Sequence, residues 1–177
     1  MMRPGFGFAG LTAMALIGLQ ALAMAQDPPR FPAVTGRSLE HQTFKLPADF
    51  EGERNLVLVA FKRGQQADVD SWMPFLRPLA AAHAGLRVYE LPTLASGFSI
   101  VRPMIDGGMR GGIPDSTVRA ATITLYIDKQ PFRTALKITS EDRIHVFLVD
   151  RAGQVYWRAE GPFTQTAGEE LARLLEP

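Results

Sequence analysis

The sequence predicts an α/β domain in which a βαβ unit is followed, after a long middle segment, by a ββα unit. Three patterns carry this prediction: a continuous apolar run over residues 55–61, apolar residues at helical spacing over residues 69–83, and two apolar segments joined by a Gly-containing turn over residues 144–159. The first pattern is typical of a strand buried on both faces. The second indicates one face of a helix, and the third an antiparallel hairpin.

The βαβ unit begins with the strand Asn55–Phe61. One face of the helix that follows is formed by Val69, Trp72, Leu76, Leu79 and His83. Gly85 ends this helix, and Leu86–Leu91 forms the second strand. We expect the connection to be right-handed. Because His83 lies on the apolar stripe and has no partner histidine at metal-ligand spacing, we interpret it as a packed, hydrogen-bonded residue.

The middle segment, residues 92–141, forms an insertion before the C-terminal hairpin. Its sequence pattern predicts a helix near Phe98–Ile105, a strand over Thr122–Ile127 and a short helical stretch near Phe132–Lys137. Between the first two lies a Gly-rich stretch, residues 107–112. This stretch lacks the Lys and Ser/Thr of a phosphate-binding loop, so we interpret it as a flexible loop that could mould to a partner.

The ββα unit closes the chain. Its strands are Ile144–Val149 and Gln154–Ala159, and Thr166 to Glu169 has the spacing of a capping box that starts the last helix. His145 heads the first of these strands, where alternation leaves it half exposed.

The N-terminus has the three parts of a secretory signal peptide, residues 1–25. Arg3 precedes an apolar run, and the run closes on Ala23-Met24-Ala25, which suits signal peptidase. The mature protein is then periplasmic or secreted, with a flexible Pro-rich lead-in over residues 26–35 and one domain over residues 36–177. No integral membrane segment follows cleavage. The alternative is an uncleaved N-terminal membrane anchor.

Composition excludes two classes of function. The chain has no cysteine, so thiol redox chemistry, disulfides and acylation of a cysteine are excluded. Cleavage would remove Arg3 and leave 18 basic residues to balance the 18 acidic ones. This neutrality argues against a nucleic-acid partner, which favours a basic surface.

The order of elements resembles that of the thioredoxin-like superfamily, and the stretches Gly36–Leu39 and Phe44–Phe50 resemble the entry to a redoxin domain. The chain is more closely similar to the mitochondrial ATP-synthase assembly factor family, which is thioredoxin-like and non-redox. The residues that carry this similarity are Val146–Asp150 with Val155–Arg158, Glu160-Gly161-Pro162, and the apolar and basic stretch Ile100–Ile105 followed by Arg110 and Pro114.

Departures from thioredoxins fall at the redox site. Thioredoxins carry a reactive cysteine just after the first strand of the βαβ unit, where this chain has Lys62–Asp68. They also carry a cis-proline before the hairpin, where this chain has Thr139–Arg143. The resemblance therefore implies a protein of this fold without its thiol activity.

We hypothesise a non-catalytic protein-binding or assembly factor, with a membrane complex as a candidate partner and no cofactor. The predicted contact residues are Phe98, Ile100, Arg102, Met104, Met109, Arg110 and Trp157. The alternative for the middle segment is that these residues only cover the sheet. Two other functions remain open: a ligand or metal carrier, in which Met104 and Met109 would bind Cu(I), and an enzyme of non-thiol type.

Overall fold

A computed structural model describes residues 28–176, which form a seven-stranded mixed sheet with helices on both faces. The strands are β1 (Val34–Ser38), β2 (Thr43–Leu46), β3 (Arg54–Ala60), β4 (Leu86–Ala95), β5 (Ile123–Ile127), β6 (His145–Val149) and β7 (Val155–Glu160). The helices are α1 (Gln66–Ala82), α2 (Arg102–Gly112), α3 (Ser116–Ala121), α4 (Lys129–Ala135) and α5 (Gln165–Leu175). Short 3-10 helices at Arg63–Gln65 and Ser96–Val101 precede α1 and α2. The predicted signal peptide lies outside the described residues.

The strand order across the sheet is β2-β1-β5-β4-β3-β6-β7. Strands β3, β4 and β5 are parallel, and β6 and β7 continue the sheet antiparallel beside β3. This arrangement confirms the predicted βαβ and ββα units. It also explains the apolar run in β3, because a strand between two neighbours and two layers is buried on both faces.

Two apolar clusters lie on opposite faces of the sheet. In β3, Val57 joins the first cluster and Leu56 joins the second, as alternation along a strand requires. Phe132 of α4 belongs to the first cluster, whereas Trp72 of α1 and Leu171 of α5 belong to the second. Helices α1 and α5 therefore share one face of the sheet, and α4 covers the other.

The predicted apolar stripe of α1 is confirmed by the burial of Val69, Trp72 and Leu76. The Trp72 Nε1–H also donates to the Gly161 carbonyl at 3.0 Å, which satisfies its one polar atom inside the core. His83 is half-buried, and its Nδ1 lies 2.8 Å from the Leu79 carbonyl. It is a packed, hydrogen-bonded residue, as predicted.

The Gly-rich stretch 107–112 is helical, so the prediction of a flexible loop is wrong. These residues form the second half of α2, which begins with Pro103 in its first turn. Each glycine disfavours a helix by about 1 kcal/mol relative to alanine. Contacts of the α2 side chains with the sheet, described below, outweigh that local preference.

Two further predictions need correction. Helix α5 begins at Gln165 rather than after Thr166, because the Thr164 hydroxyl caps it by accepting from the Ala167 N–H at 3.2 Å. His145 is buried rather than half exposed. Its strand, β6, contributes Phe147 to one apolar cluster and Val146 to the other, so both of its faces are covered.

The described part of the lead-in, residues 28–35, packs against the domain, which differs from the expected flexible segment. Phe31 is buried and makes edge-to-face contacts with Phe50 and Phe132, at 5.6 Å between ring centroids in both cases. Its N–H donates to the Gly153 carbonyl at 2.8 Å. Gly153 has φ +81°, and a Cβ there would lie 2.7 Å from the Phe31 carbonyl oxygen, so glycine is required at this turn.

Candidate protein-binding surface

The corner where β3 ends and α1 begins is closed by a buried glutamine. The Gln65 Oε1 accepts from the backbone N–H groups of Phe61 at 2.8 Å and Lys62 at 3.1 Å. Its Nε2 donates to the Glu141 carbonyl at 2.8 Å. One side chain thus joins the loop after β3 to the loop before β6, and all of its hydrogen-bonding atoms are used.

Ion pairs surround Gln65. Lys62 Nζ lies 2.6 Å from Asp142 Oδ1, and this hydrogen bond from Lys62 lowers the pKa of the Asp142 carboxyl. Glu141 accepts from Lys129 at 2.5 Å and from Arg133 at 3.2 Å. We call Lys62, Gln65, Glu141 and Asp142 the polar corner; every one of its side chains has a partner inside the domain.

His145 supports the same corner from below. Its Nε2 lies 2.9 Å from the Ser140 carbonyl oxygen, and because a carbonyl only accepts, Nε2 carries the proton. Burial lowers the pKa of His145, and the Ser140 hydrogen bond and Glu160 oppose that effect only in part. The imidazole is therefore neutral at pH 7 and has a structural role.

The polar corner follows β3, where the resemblance to thioredoxins implies a redox site, but the chain contains no cysteine. Lys62 is paired with Asp142, and Glu141 with Lys129 and Arg133. The arrangement stabilises two loops. It has no group that performs thiol–disulfide exchange.

A second region, which we call the outer segment, runs from Ser96 to Gly112 and comprises the 3-10 helix and α2. Its contacts with the sheet are polar. The Asp106 carboxylate accepts from the Tyr126 hydroxyl at 2.8 Å and from the Thr124 hydroxyl at 3.4 Å. Burial, followed by the hydrogen bond to Asp106, raises the pKa of Tyr126, which therefore stays a donor. The Arg102 guanidinium lies over the Tyr126 ring, 4.4 Å from its centroid.

The other end of α2 is held by Arg110. Its guanidinium donates to the Leu39 carbonyl at 2.7 Å and to the Glu40 carboxylate at 3.3 Å. Glu40 also accepts from Arg119 of α3 at 2.5 Å, and this bond is the main cause of its lowered pKa. Helix α2 is therefore fastened to β5 and to the β1–β2 turn by hydrogen bonds and charges.

Phe98, Ile100 and Met104 of the outer segment face the solvent, whereas its apolar residues Ile105 and Met109 are half-buried. Phe98 is 54% exposed, Ile100 88% and Met104 73%. Val101 beside them is also exposed, and no residue of the 3-10 helix or of α2 is buried. Water-facing apolar residues clustered on one segment are typical of a surface that contacts another molecule, whereas single ones are common on any protein.

The predicted contact residues separate into three groups. Phe98, Ile100 and Met104 are exposed, so their side chains do not cover the sheet. Arg102, Met109 and Arg110 are half-buried, and the two arginines contact the rest of the domain. The third group is Trp157 alone.

Trp157 lies on the edge strand β7, which three strands separate from β5. It packs 6.2 Å from Trp72 and donates to Glu170 at 3.2 Å. The structure therefore does not place it with the outer segment.

Sequence reasoning did not identify Gln65, Arg37 or Asp106. A lone glutamine in a polar loop has no pattern that marks it as buried. The only sequence signal for Asp106 is its position four residues after Arg102, a spacing that places both on one helix face.

The two methionines predicted as alternative Cu(I) ligands differ in exposure. Met104 is largely exposed and Met109 is half-buried. Among residues 28–176, no group of three or more His, Asp or Glu side chains is placed to hold a metal ion.

Solved structures with the same fold include thiol-disulfide proteins. One is the thioredoxin domain of a thiol-disulfide oxidoreductase from Bacteroides vulgatus, with 20% identity, a TM-score of 0.57, and coverage of 83% of this chain and 96% of that one. Another is a thiol:disulfide interchange protein from a Bacteroides species, with 17% identity, a TM-score of 0.58, and coverage of 84% and 89%. A third, with 13% identity, a TM-score of 0.56 and coverage of 83% and 92%, belongs to the Sco family of cytochrome c oxidase assembly proteins.

These similarities show that the chain has a thioredoxin-like fold. They do not show a particular family, because at this identity only the fold is shared. No protein-family model matches the sequence, and no curated protein matches it. Within the part of the chain that the structure describes, no helix is both long and apolar enough to cross a bilayer.

Proposed function

We propose that this protein is an exported, non-catalytic factor that binds another protein through the outer segment, as a thioredoxin-like domain without redox chemistry. The observation that carries the proposal is the orientation of that segment. Asp106 and Arg110 form hydrogen bonds with the domain, whereas Phe98, Ile100 and Met104 are exposed and Ile105 and Met109 are half-buried. A helix that only covered a sheet would be oriented the other way.

A protein partner fits this surface better than a small ligand does. Phe98, Ile100 and Met104 are large exposed side chains and line neither of the two described clefts, whereas small-molecule sites are concave and enclose their ligand. Aromatic residues and methionine are enriched at the centres of protein interfaces, where they are removed from water. Methionine also adapts its shape to a partner.

The partner that we propose is a membrane complex during its assembly. The support is the similarity to the ATP-synthase assembly factor family, which is carried by residues 100–105 of the outer segment and by the β6–β7 hairpin. The signal-like N-terminus supports a location in the cell envelope. The same fold occurs in a Sco protein, whose family is one of cytochrome c oxidase assembly proteins.

The proposal is tested by comparing two double variants of the full chain. Ile100→Ser/Met104→Ser removes apolar surface from the outer segment. Tyr156→Ser/Leu174→Ser removes apolar surface elsewhere, from residues that are 44% and 51% exposed. Each protein is added to detergent-solubilised envelope membranes of the producing organism, recovered, and its bound proteins are quantified.

We expect the outer-segment variant to bind its partner at least about 30-fold more weakly, since one central interface residue contributes on the order of 2 kcal/mol. The control variant should retain the partner. Equal recovery by both variants, or recovery of the chain alone by the unmodified protein, would contradict the proposal. Circular dichroism melting curves establish that both variants remain folded.

A further inference from the structure

A cleft opens between α2 and the β1–β2 turn, directly beneath the outer segment. Its volume is about 230 Å³, and its lining includes Arg37, Leu39, Arg102, Pro103 and Asp106. Three arginines face this cleft, because Arg110 also lines it. The size is below that of a typical site for a drug-sized ligand and suits a single side chain or a small anion.

Two of these arginines are not paired with a carboxylate. Arg110 is paired with Glu40, but among residues 28–176 neither Arg37 nor Arg102 lies within 4.0 Å of a carboxylate oxygen. Arg37 uses only its Nε, which donates to the His41 carbonyl at 3.2 Å. Arg102 Nε is buried and has no hydrogen-bond partner among the described residues.

The charge of the cleft favours an anion. Its lining carries three arginines, Arg37, Arg102 and Arg110, and one carboxylate, Asp106; the Glu40 carboxylate is shared between Arg110 and Arg119. The cleft is therefore net positive, which attracts an anion such as a carboxylate. Leu39 and Pro103 supply apolar walls, which strengthen an ion pair by excluding water.

We infer that this cleft binds a carboxylate, supplied by an acidic side chain of the protein that docks on the outer segment. This inference rests on the proposed function, because Arg102 and Pro103 lie within the same four residues as Val101 and Met104. A partner that covers the apolar face would therefore place another of its own residues, adjacent to those in contact, at the mouth of the cleft. Two arginines bind a carboxylate well, since guanidinium groups donate two parallel hydrogen bonds.

The first experiment uses glutarate as a probe of the cleft in the isotope-labelled full chain. The NMR signals of the arginine Nε–H groups are followed during titration at constant ionic strength. We expect a saturable shift of the Arg102 and Arg37 signals. Arg37→Gln and Arg102→Gln should each weaken glutarate binding about tenfold, because each removes charge-assisted hydrogen bonds. Arg173→Gln, which removes a charge from α5 near the opposite edge of the sheet, should leave binding unchanged.

Three outcomes would overturn the inference. One is the absence of a saturable shift, or the same shift in the Arg173 signal, which would indicate charge screening alone. Another is binding of inorganic phosphate more tightly than glutarate. The third is Arg37-dependent binding to vesicles of phosphatidylcholine and phosphatidylglycerol, which would identify a lipid headgroup as the ligand.

A second measurement separates this inference from the proposed function. The membrane-complex recovery described above is repeated with Arg37→Gln, which alters the cleft and leaves the apolar face intact. We expect recovery to fall several-fold. If recovery is unchanged while glutarate still binds the unmodified chain, the cleft does not serve the partner, and the proposed function stands. If Ile100→Ser/Met104→Ser retains the partner, the proposed function fails regardless of the titration.

Discussion

The polar corner and the outer segment use polar residues in opposite ways. In the polar corner, Gln65 and its neighbouring ion pairs join two loops and leave no group free. In the outer segment, Asp106 accepts a hydrogen bond from Tyr126 of the sheet and Arg110 donates to the β1–β2 turn, and Phe98, Ile100 and Met104 are exposed to water. In thioredoxins the corner is the functional site. In this protein the polar corner holds two loops together, and the exposed apolar residues lie on the outer segment.

This contrast supports the proposal that the chain keeps a thioredoxin-like architecture and uses a different region for its function. The sheet and the two clusters depend on β3, α1 and β6, which remain as in thioredoxin-like proteins. The reactive position is a loop outside those clusters, and a buried amide can close it with backbone hydrogen bonds. A binding surface can then form on an element whose apolar face is not packed in the core.

The largest effect on stability is expected from Gln65→Ala. The substitution leaves the N–H groups of Phe61 and Lys62 and the Glu141 carbonyl without their partner, which costs about 2 kcal/mol of unfolding free energy. Urea unfolding measures it. The matched control is Gln130→Ala, which removes an exposed side chain and should change stability by less than about 0.5 kcal/mol. Equal effects of the two variants would show that the polar corner does not hold the two loops together.

A moderate effect is expected from Tyr126→Phe, which removes the hydroxyl that donates to Asp106. We expect a loss of about 1 kcal/mol and faster hydrogen exchange of the α2 amides, because α2 loses a main attachment. Tyr156→Phe is the control, since the Tyr156 hydroxyl donates to Asp150 on the surface. If the α2 amides exchange at the same rate in both variants, polar contacts do not hold the outer segment.

A smaller effect is expected from acidification. Burial lowers the pKa of His145, so the folded state binds a proton less readily than the unfolded chain does. The stability due to neutral His145 is therefore present above its unfolded pKa of about 6.5 and is lost as the pH falls through that value. Between pH 7 and 6 the loss should stay below about 1 kcal/mol.

Urea midpoints measured across this range for the unmodified chain and for His145→Gln test that expectation. The glutamine variant should show a flatter pH dependence, because it cannot be protonated. Parallel curves would mean that His145 does not titrate differently on folding.

The smallest effect on stability is expected from Ile100→Ser. Its side chain is almost fully exposed, so the unfolding free energy should change by less than about 0.5 kcal/mol. The same substitution is expected to weaken partner binding, which separates a contact residue from a core residue. A loss of stability as large as that of Gln65→Ala would show that the outer segment belongs to the core.

Much of the fold could be predicted from sequence because its signals are local and periodic. The β3 run, the α1 stripe and the β6–β7 hairpin each carry such a signal. The C-terminal half of α2 does not, because its glycines favour a loop and only Arg110, contacting the β1–β2 turn, shows why the helix persists. Long-range contacts of this kind leave no trace in a single sequence.

The candidate site could be predicted only in part for the same reason. The apolar and basic composition of residues 98–110 indicated a surface segment, and the structure shows which side chains face outward. Trp157 differs, because strand alternation alone does not reveal that α5 covers its face. The cleft was not predictable, since it joins Arg37 of β1 to Arg102 of α2 across the fold.

The central claim is that contact with the partner occurs at the outer segment and not at the polar corner. Site-specific photocrosslinking in the producing cells tests it directly, with a benzophenone amino acid placed at Ile100 in one strain and at Lys62 in another; both positions are exposed. We predict a discrete higher-mass adduct from position 100 and none from position 62. An adduct from position 62 alone, or from neither position, would contradict the claim.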